Sequence, residues 1–167
     1  MKKILLFFLL FSFFSLNVYS DDKIFYLDVD KMLNESKKGK KIIKELDKIN
    51  NDNITQFKLQ EDELKKIEQN ITNVKNIISK DDLNSKIDEL KKKISTYNLD
   101  KRKKIKDFEN KKNQELKNFL IQVTPIIESY MEANSINIIL EKKNIFIANS
   151  KYDITIEIIK LIDKENN

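Results

Sequence analysis

"DDKIFYLDVDKMLNESKKGKK", residues 21–41, sets a short alternating strand (24–29) in front of a long charged stretch that reads as almost nothing but helix. A strand of about five residues cannot stand alone in water, because it buries too little and leaves both edges unpaired. Its partners must come from later in the chain or from other copies of it.

Ahead of this stretch stands "MKKILLFFLLFSFFSLNVYS" (1–20), with two lysines, an unbroken apolar run over 4–11 and a small-residue end around Ser20. That three-part layout predicts a secretory signal cut after Ser20. An uncleaved anchor is the alternative, but the run falls short of the roughly 20 residues that a spanning helix needs. The expected mature protein is exported and soluble. There is no cysteine, so neither a lipid anchor at the cut site nor disulfides can help, and stability must come from packing or assembly.

One glycine, one proline and 35% charged residues are unlike an average domain and typical of long helices. The charge is unevenly spread. Residues 36–133 carry 23 basic and 17 acidic side chains, whereas 21–35 carry 2 against 5 and 134–167 carry 5 against 5.

Apolar residues recur at spacings of three and four from Ile42 through Leu46, Ile49, Phe57, Leu64, Ile67, Ile71 and Val74 to Ile78. A second stripe begins at Leu83 and runs through Ile87, Leu90, Ile94, Tyr97, Ile105, Phe108, Leu116 and Phe119 to Tyr130. Each is one side of a long amphipathic helix. Between them "SKDD" (79–82) reads as a tight tip, with Asp81 or Asp82 capping the second helix. Facing pairs have nearly constant number sums: Ile78 with Leu83 and Ile42 with Phe119 give 161, Leu46 with Leu116 and Phe57 with Ile105 give 162. Mirrored positions of this kind predict one antiparallel coiled-coil arm over 36–133 rather than a parallel dimer of continuous helices. Polar seam pairs, Asn53 with Phe108, Gln60 with Lys101 and Ile49 with Lys112, predict an arm that bends.

The end of the chain supplies the strand partners. Residues 136–141 and 145–148 are β-branched runs separated by Lys142, Lys143 and Asn144, which predicts a β-hairpin. A closing helix follows over about 155–163, capped by Asp153 or Thr155. The fold class is thus mostly α with a small β body formed by 21–35 and 134–167, the helical hairpin being inserted into a three-stranded segment. Apolar faces on these strands make Ile24, Tyr26, Ile138, Leu140, Ile145 and Ile147 the candidate contacts between chains.

"YLDVDKMLNESKKGKK" followed by a charged hairpin and then "INIILEKKNIFIANSKYDITIEIIKLID" resembles the Skp (OmpH-like) family of periplasmic chaperones. The likeness spans essentially all of the mature chain, and its specific parts are the ends: the strand closing on Asp28, Ser36 and Gly39 at the arm root, and Asp153 to Thr155 at the last helix. The resemblance implies a homotrimer in which strands of three chains build a small barrel. Three arms then surround a cavity that holds unfolded outer-membrane proteins in the periplasm without ATP.

Lys91, Lys92, Lys93, Lys101, Arg102, Lys103 and Lys104 are the densest basic runs. A solvated helix face is the plain explanation; contact with acidic clients or anionic lipid headgroups, weakening with salt, is the functional one. Ile77, Leu99, Leu120 and Ile121 fall outside the seam and are the candidate apolar client contacts. Gly39 is expected either to let the arm root pack closely or to form a turn between two helices, and Pro125 to shape the returning helix. With no histidine, no cysteine and no glycine-rich loop, the residues point to no enzyme, metal or cofactor. Nucleic acid is disfavoured by the export signal and by basic runs without interleaved aromatics. A structural spacer of the cell envelope is the alternative function.

Overall fold

The computed structural model describes residues 23–165, so the expected secretory signal over 1–20 lies outside the described residues. Strand β1 (Ile24–Leu27) pairs in parallel with β2 (Ile138–Glu141), Ile24 opposite Ile138 and Leu27 opposite Glu141. On its other side Tyr26 bridges Asp153, and the amide of Ile154 donates to the Tyr26 carbonyl at 3.0 Å. The first strand is therefore flanked by the end of the chain on both edges, which satisfies its backbone groups.

Helix α1 (Val29–Glu35) starts where the Asp28 carboxylate accepts from the Lys31 amide at 2.9 Å. It stops at the buried Ser36, whose hydroxyl accepts from Gly39 N at 3.1 Å and so begins α2 (Lys37–Val74). A Cβ on Gly39 would lie 1.9 Å from the Leu33 carbonyl oxygen. Both explanations of the glycine thus hold together, since it sits just past a turn between two helices and packs directly on the first of them.

Helix α3 (Lys80–Asn134) returns along α2. Its cap is Ser79, which accepts from Asp82 N at 3.1 Å and donates to the Asp82 carboxylate at 2.6 Å. The expected tip at 79–82, capped by Asp81 or Asp82, is therefore displaced to 75–79. Serine, with its short hydroxyl, caps the helix, and both aspartates fall in the first turn, where their charge complements the free amides. By length, α2 reaches about 57 Å and α3 about 80 Å at 1.5 Å per residue, so the longer helix continues into the body.

The buried core gathers Leu27, Met32, Phe119, Val123, Ile126 and Ile136 with Ile154, Ile158, Ile159 and Ile162. The last four introduce or belong to α4 (Thr155–Glu165), begun by Asp153 accepting from Thr155 N at 3.0 Å. Pro125 lies inside α3 between the buried Val123 and Ile126, where the returning helix meets this core.

Farther out the arm is thin. Leu46 and Gly39 are the buried residues of α2, and Phe119, Val123 and Ile126 those of α3, all near the root. Beyond them the seam is half-buried: Ile49, Asn53, Phe57, Gln60, Leu64, Ile67, Ile71 and Val74 against Leu83, Leu90, Tyr97, Lys101, Lys104 and Phe108. Ile94 and Ile105, expected in the seam, are 40% and 46% exposed. Lys101 and Lys104 occupy the seam instead, because acidic and amide partners on α2 meet their ammonium groups there.

One strand is missing from the expected three. After β2 the chain takes a 3-10 turn over Lys142–Asn144, and 145–148 leave it without joining a sheet. The turn does not bring the chain back along β2, while both edges of β1 are already occupied by β2 and by the Asp153 segment. The β-hairpin is thus absent from the single chain.

Candidate functional site

Two surfaces carry the candidate residues. On α3 Lys92 lies seven residues before Leu99, and Arg102 and Lys103 lie three and four residues after it, which puts them on one side of the helix. All four are exposed, and the three cations form no ion pair among the described residues. Lys91 pairs with Asp88 at 3.2 Å and Lys93 with Glu89 at 3.9 Å, both on the exposed surface. Such pairs add little stability and release easily. This side of the arm combines a bare leucine with uncompensated positive charge, so it offers contact to apolar segments bearing acidic groups.

Lys101 and Lys104 behave differently from their neighbours. The Lys101 ammonium donates to Glu61 at 2.8 Å and to the Tyr97 hydroxyl at 2.9 Å, and stands 5.5 Å from the Phe57 ring centroid. Tyr97 in turn donates to Glu61. Hydrogen bonds from Lys101 and Tyr97 hold the Glu61 carboxyl below its ordinary pKa, and the same contacts, Glu61 first, push Lys101 above its own. Lys104 donates to Gln56 and lies 3.9 Å from Asp100. These two lysines clasp α2 to α3, which corrects their assignment as outward contacts: on the facing helix the Glu61 carboxylate takes up Lys101 and the Gln56 amide oxygen takes up Lys104. Gln60, expected opposite Lys101, is left with a buried, unbonded Oε1.

Of the apolar candidates, Ile77 at the tip is 82% exposed, and Leu99 and Ile121 are also bare. Leu120 is not; it packs half-buried against the body core, because α3 turns that side inward near its end. Ile54 and Leu59 on α2 are exposed as well and were missed, though both fall off the seam spacing and could have been found by it.

The second surface is the outer side of the sheet. Ile24, Ile138 and Leu140 are each nearly half exposed there, and Ile147 is 83% exposed. Tyr26, expected among them, is buried within its own chain, since β1 is flanked on both edges. Ile145 and Ile147 arch beside the sheet and enclose a hollow of about 550 Å³ with Ile24, Tyr26, Leu140 and Tyr152. Phe146 stands fully exposed and was overlooked, although its place in the β-branched run marked it.

At the junction of strands and helices Asp28 ties four elements together. Its amide donates to the Thr155 hydroxyl at 2.9 Å, and its carboxylate accepts from Lys31 N and from the Lys142 ammonium at 3.0 Å. These contacts, the Lys31 amide foremost, lower the Asp28 pKa. Among the described residues no helix is long and apolar enough to cross a membrane, and no acidic, histidine or cysteine cluster suits a metal ion.

The family model for outer membrane protein (OmpH-like) matches residues 23–162. No curated protein matches the chain. A crystal structure from Caulobacter crescentus CB15, described as an OmpH-like outer membrane chaperone, superposes with a TM-score of 0.74 at 17% identity, covering 85% of this chain and 84% of the other. That likeness concerns the fold: a strand-and-helix body with a long hairpin. Since the family match takes in both the body and the arm, the chain belongs to the OmpH-like family.

Proposed function

We propose that this protein is an ATP-independent holdase of the periplasm, working as a homotrimer whose arms surround unfolded outer-membrane proteins and keep them from aggregating. Membership of the OmpH-like family supports it, as does the description of the related Caulobacter crescentus CB15 structure as an outer membrane chaperone. The observation that carries it is the arm itself, a hairpin with a half-buried seam whose outer side sets Leu99 among the uncompensated Lys92, Arg102 and Lys103. A surface of scattered apolar groups and mobile cations binds broadly and weakly, which is what a client without fixed structure requires.

The trimer provides what a single chain lacks. One arm offers a surface and no enclosure, whereas three around an axis would shield a client from its neighbours. The apolar outer side of the sheet would be covered in that assembly. Anionic lipid headgroups would compete for the same cations, giving a route for release at a membrane surface.

Purified protein added to a β-barrel client diluted from urea tests the function. Suppressed aggregation at one trimer per client is expected, with the effect weakening as salt is raised. No suppression at any ratio would leave the envelope spacer as the function.

A further inference from the structure

An asparagine followed two residues later by serine or threonine is the acceptor pattern for N-linked sugar in exported chains. Three stretches here have it: Asn34-Glu35-Ser36, Asn53-Ile54-Thr55 and Asn70-Ile71-Thr72. The fold separates them. Ser36 is buried with its hydroxyl accepting from Gly39 N at 3.1 Å, and Asn34 itself donates to the Asp30 carbonyl at 2.7 Å, so the first pair is already engaged. Asn53 is half-buried in the seam, with helix running on far to either side. Asn70 and Thr72 are both exposed.

Reachable groups are not enough, because residues two apart on a helix face different ways and cannot meet one catalyst together. The acceptor must therefore leave the helix. α2 ends at Val74, four residues beyond Asn70, with Lys75 still right-handed and no left-handed residue to close the last turn. Thr72 also donates back to the Glu68 carbonyl at 3.0 Å, a bond that slightly weakens helices. A last turn of this kind opens at little cost, which the middle of α2 around Asn53 cannot do. Resting on the export proposed above and not on the holdase activity, we infer that Asn70 is an N-glycosylation site that takes an oligosaccharide from a lipid pyrophosphate donor.

In that transfer the Asn70 amide nitrogen bonds to the anomeric carbon of the first sugar as the anomeric carbon–oxygen bond breaks. The lipid pyrophosphate leaves with the electron pair, and one Nδ2 proton passes to solvent. Glu68 is the selecting residue. It is exposed two positions ahead of the acceptor, where Asn53 has Asn51 and Asn34 has the buried Met32, so only Asn70 offers a carboxylate to a cationic group of the transferase. At 1.5 Å per residue from Lys37, Asn70 stands about 50 Å along the arm, so a glycan there disturbs neither the root nor the core.

The test is peptide mass spectrometry of the full chain purified from its native cells. Sugar on Asn70 and none on Asn34 or Asn53 is expected. Thr72→Val should abolish the modification, and Glu68→Gln should lower its occupancy about tenfold, the loss expected for one charged hydrogen bond, with helical circular dichroism unchanged in both. A bare Asn70 in the parent would overturn the inference, as would sugar on Asn53 to the same extent. Full occupancy in Glu68→Gln would overturn the selecting role of that carboxylate. A bare chain that still carries residues 1–20 would remove the export reading as well, whereas the client assay decides the holdase activity separately.

Discussion

The Leu33 carbonyl oxygen lies 1.9 Å from where a Cβ on Gly39 would stand, so the first turn of the arm rests on the backbone of α1 with no room for a side chain. Gly39→Ala is therefore expected to destabilise the protein, even though alanine gains about 1 kcal/mol over glycine within a helix. Overpacking costs typically about 1–3 kcal/mol, and a clash with backbone lies at the upper end. A thermal melt that is unchanged or raised in the variant would contradict close packing at the root.

Asp28 confers an acid-sensitive stability on the body. Its folded pKa is lowered from 3.8, first by the Lys31 amide and then by Lys142, so its contribution is complete above that value and is lost as pH falls through the folded pKa. Asp28→Asn should melt at lower temperature than the parent at neutral pH, with the gap narrowing below pH 3.8. A gap that stays constant into strong acid would show that the carboxylate charge is not what matters.

Burial places the stability at the root of the arm. Phe119 is fully buried, whereas Leu83 near the tip is only half-buried. Phe119→Ala is expected to cost about 3–5 kcal/mol in denaturant unfolding. Leu83→Ala should cost about half as much or less, since only part of its apolar surface is covered. Equal costs would mean that the distal seam is as firmly packed as the body.

Hydrogen exchange separates a clasped from a loose middle. Lys101, Tyr97 and Glu61 link the helices where the sequence suggests weakness. Amides near Phe57 and Lys101 should exchange more slowly than those near the tip, and Lys101→Met should reduce the difference. Unaltered exchange in that variant would remove any structural role for the clasp.

Thr155, 1% exposed, receives the Asp28 amide and donates to Asp153. Replacing it with valine keeps the shape and leaves the Asp28 amide without a partner, while Asp153 still accepts from the backbone amide of residue 155, for an expected loss of about 1–3 kcal/mol. Equilibrium unfolding of Thr155→Val checks this, and a loss well under that range would mean that water replaces the hydroxyl.

Apolar spacing alone determined the two long helices and their antiparallel return, because a stripe at three-and-four spacing can be buried only against a matching stripe. It also marked the strand at 24–29 as the partner of a distant segment, since a lone strand leaves its backbone groups unsatisfied. Tertiary structure decided what depends on charges and edges meeting in space. It moved Lys101 and Lys104 into the seam, where Glu61 and Gln56 await them, and drew Leu120 and Tyr26 inward. It also left 145–148 unpaired, because the Asp153 segment and β2 had already taken both edges of the first strand; spacing along a chain records which residues are apolar but not which backbone edge is filled first.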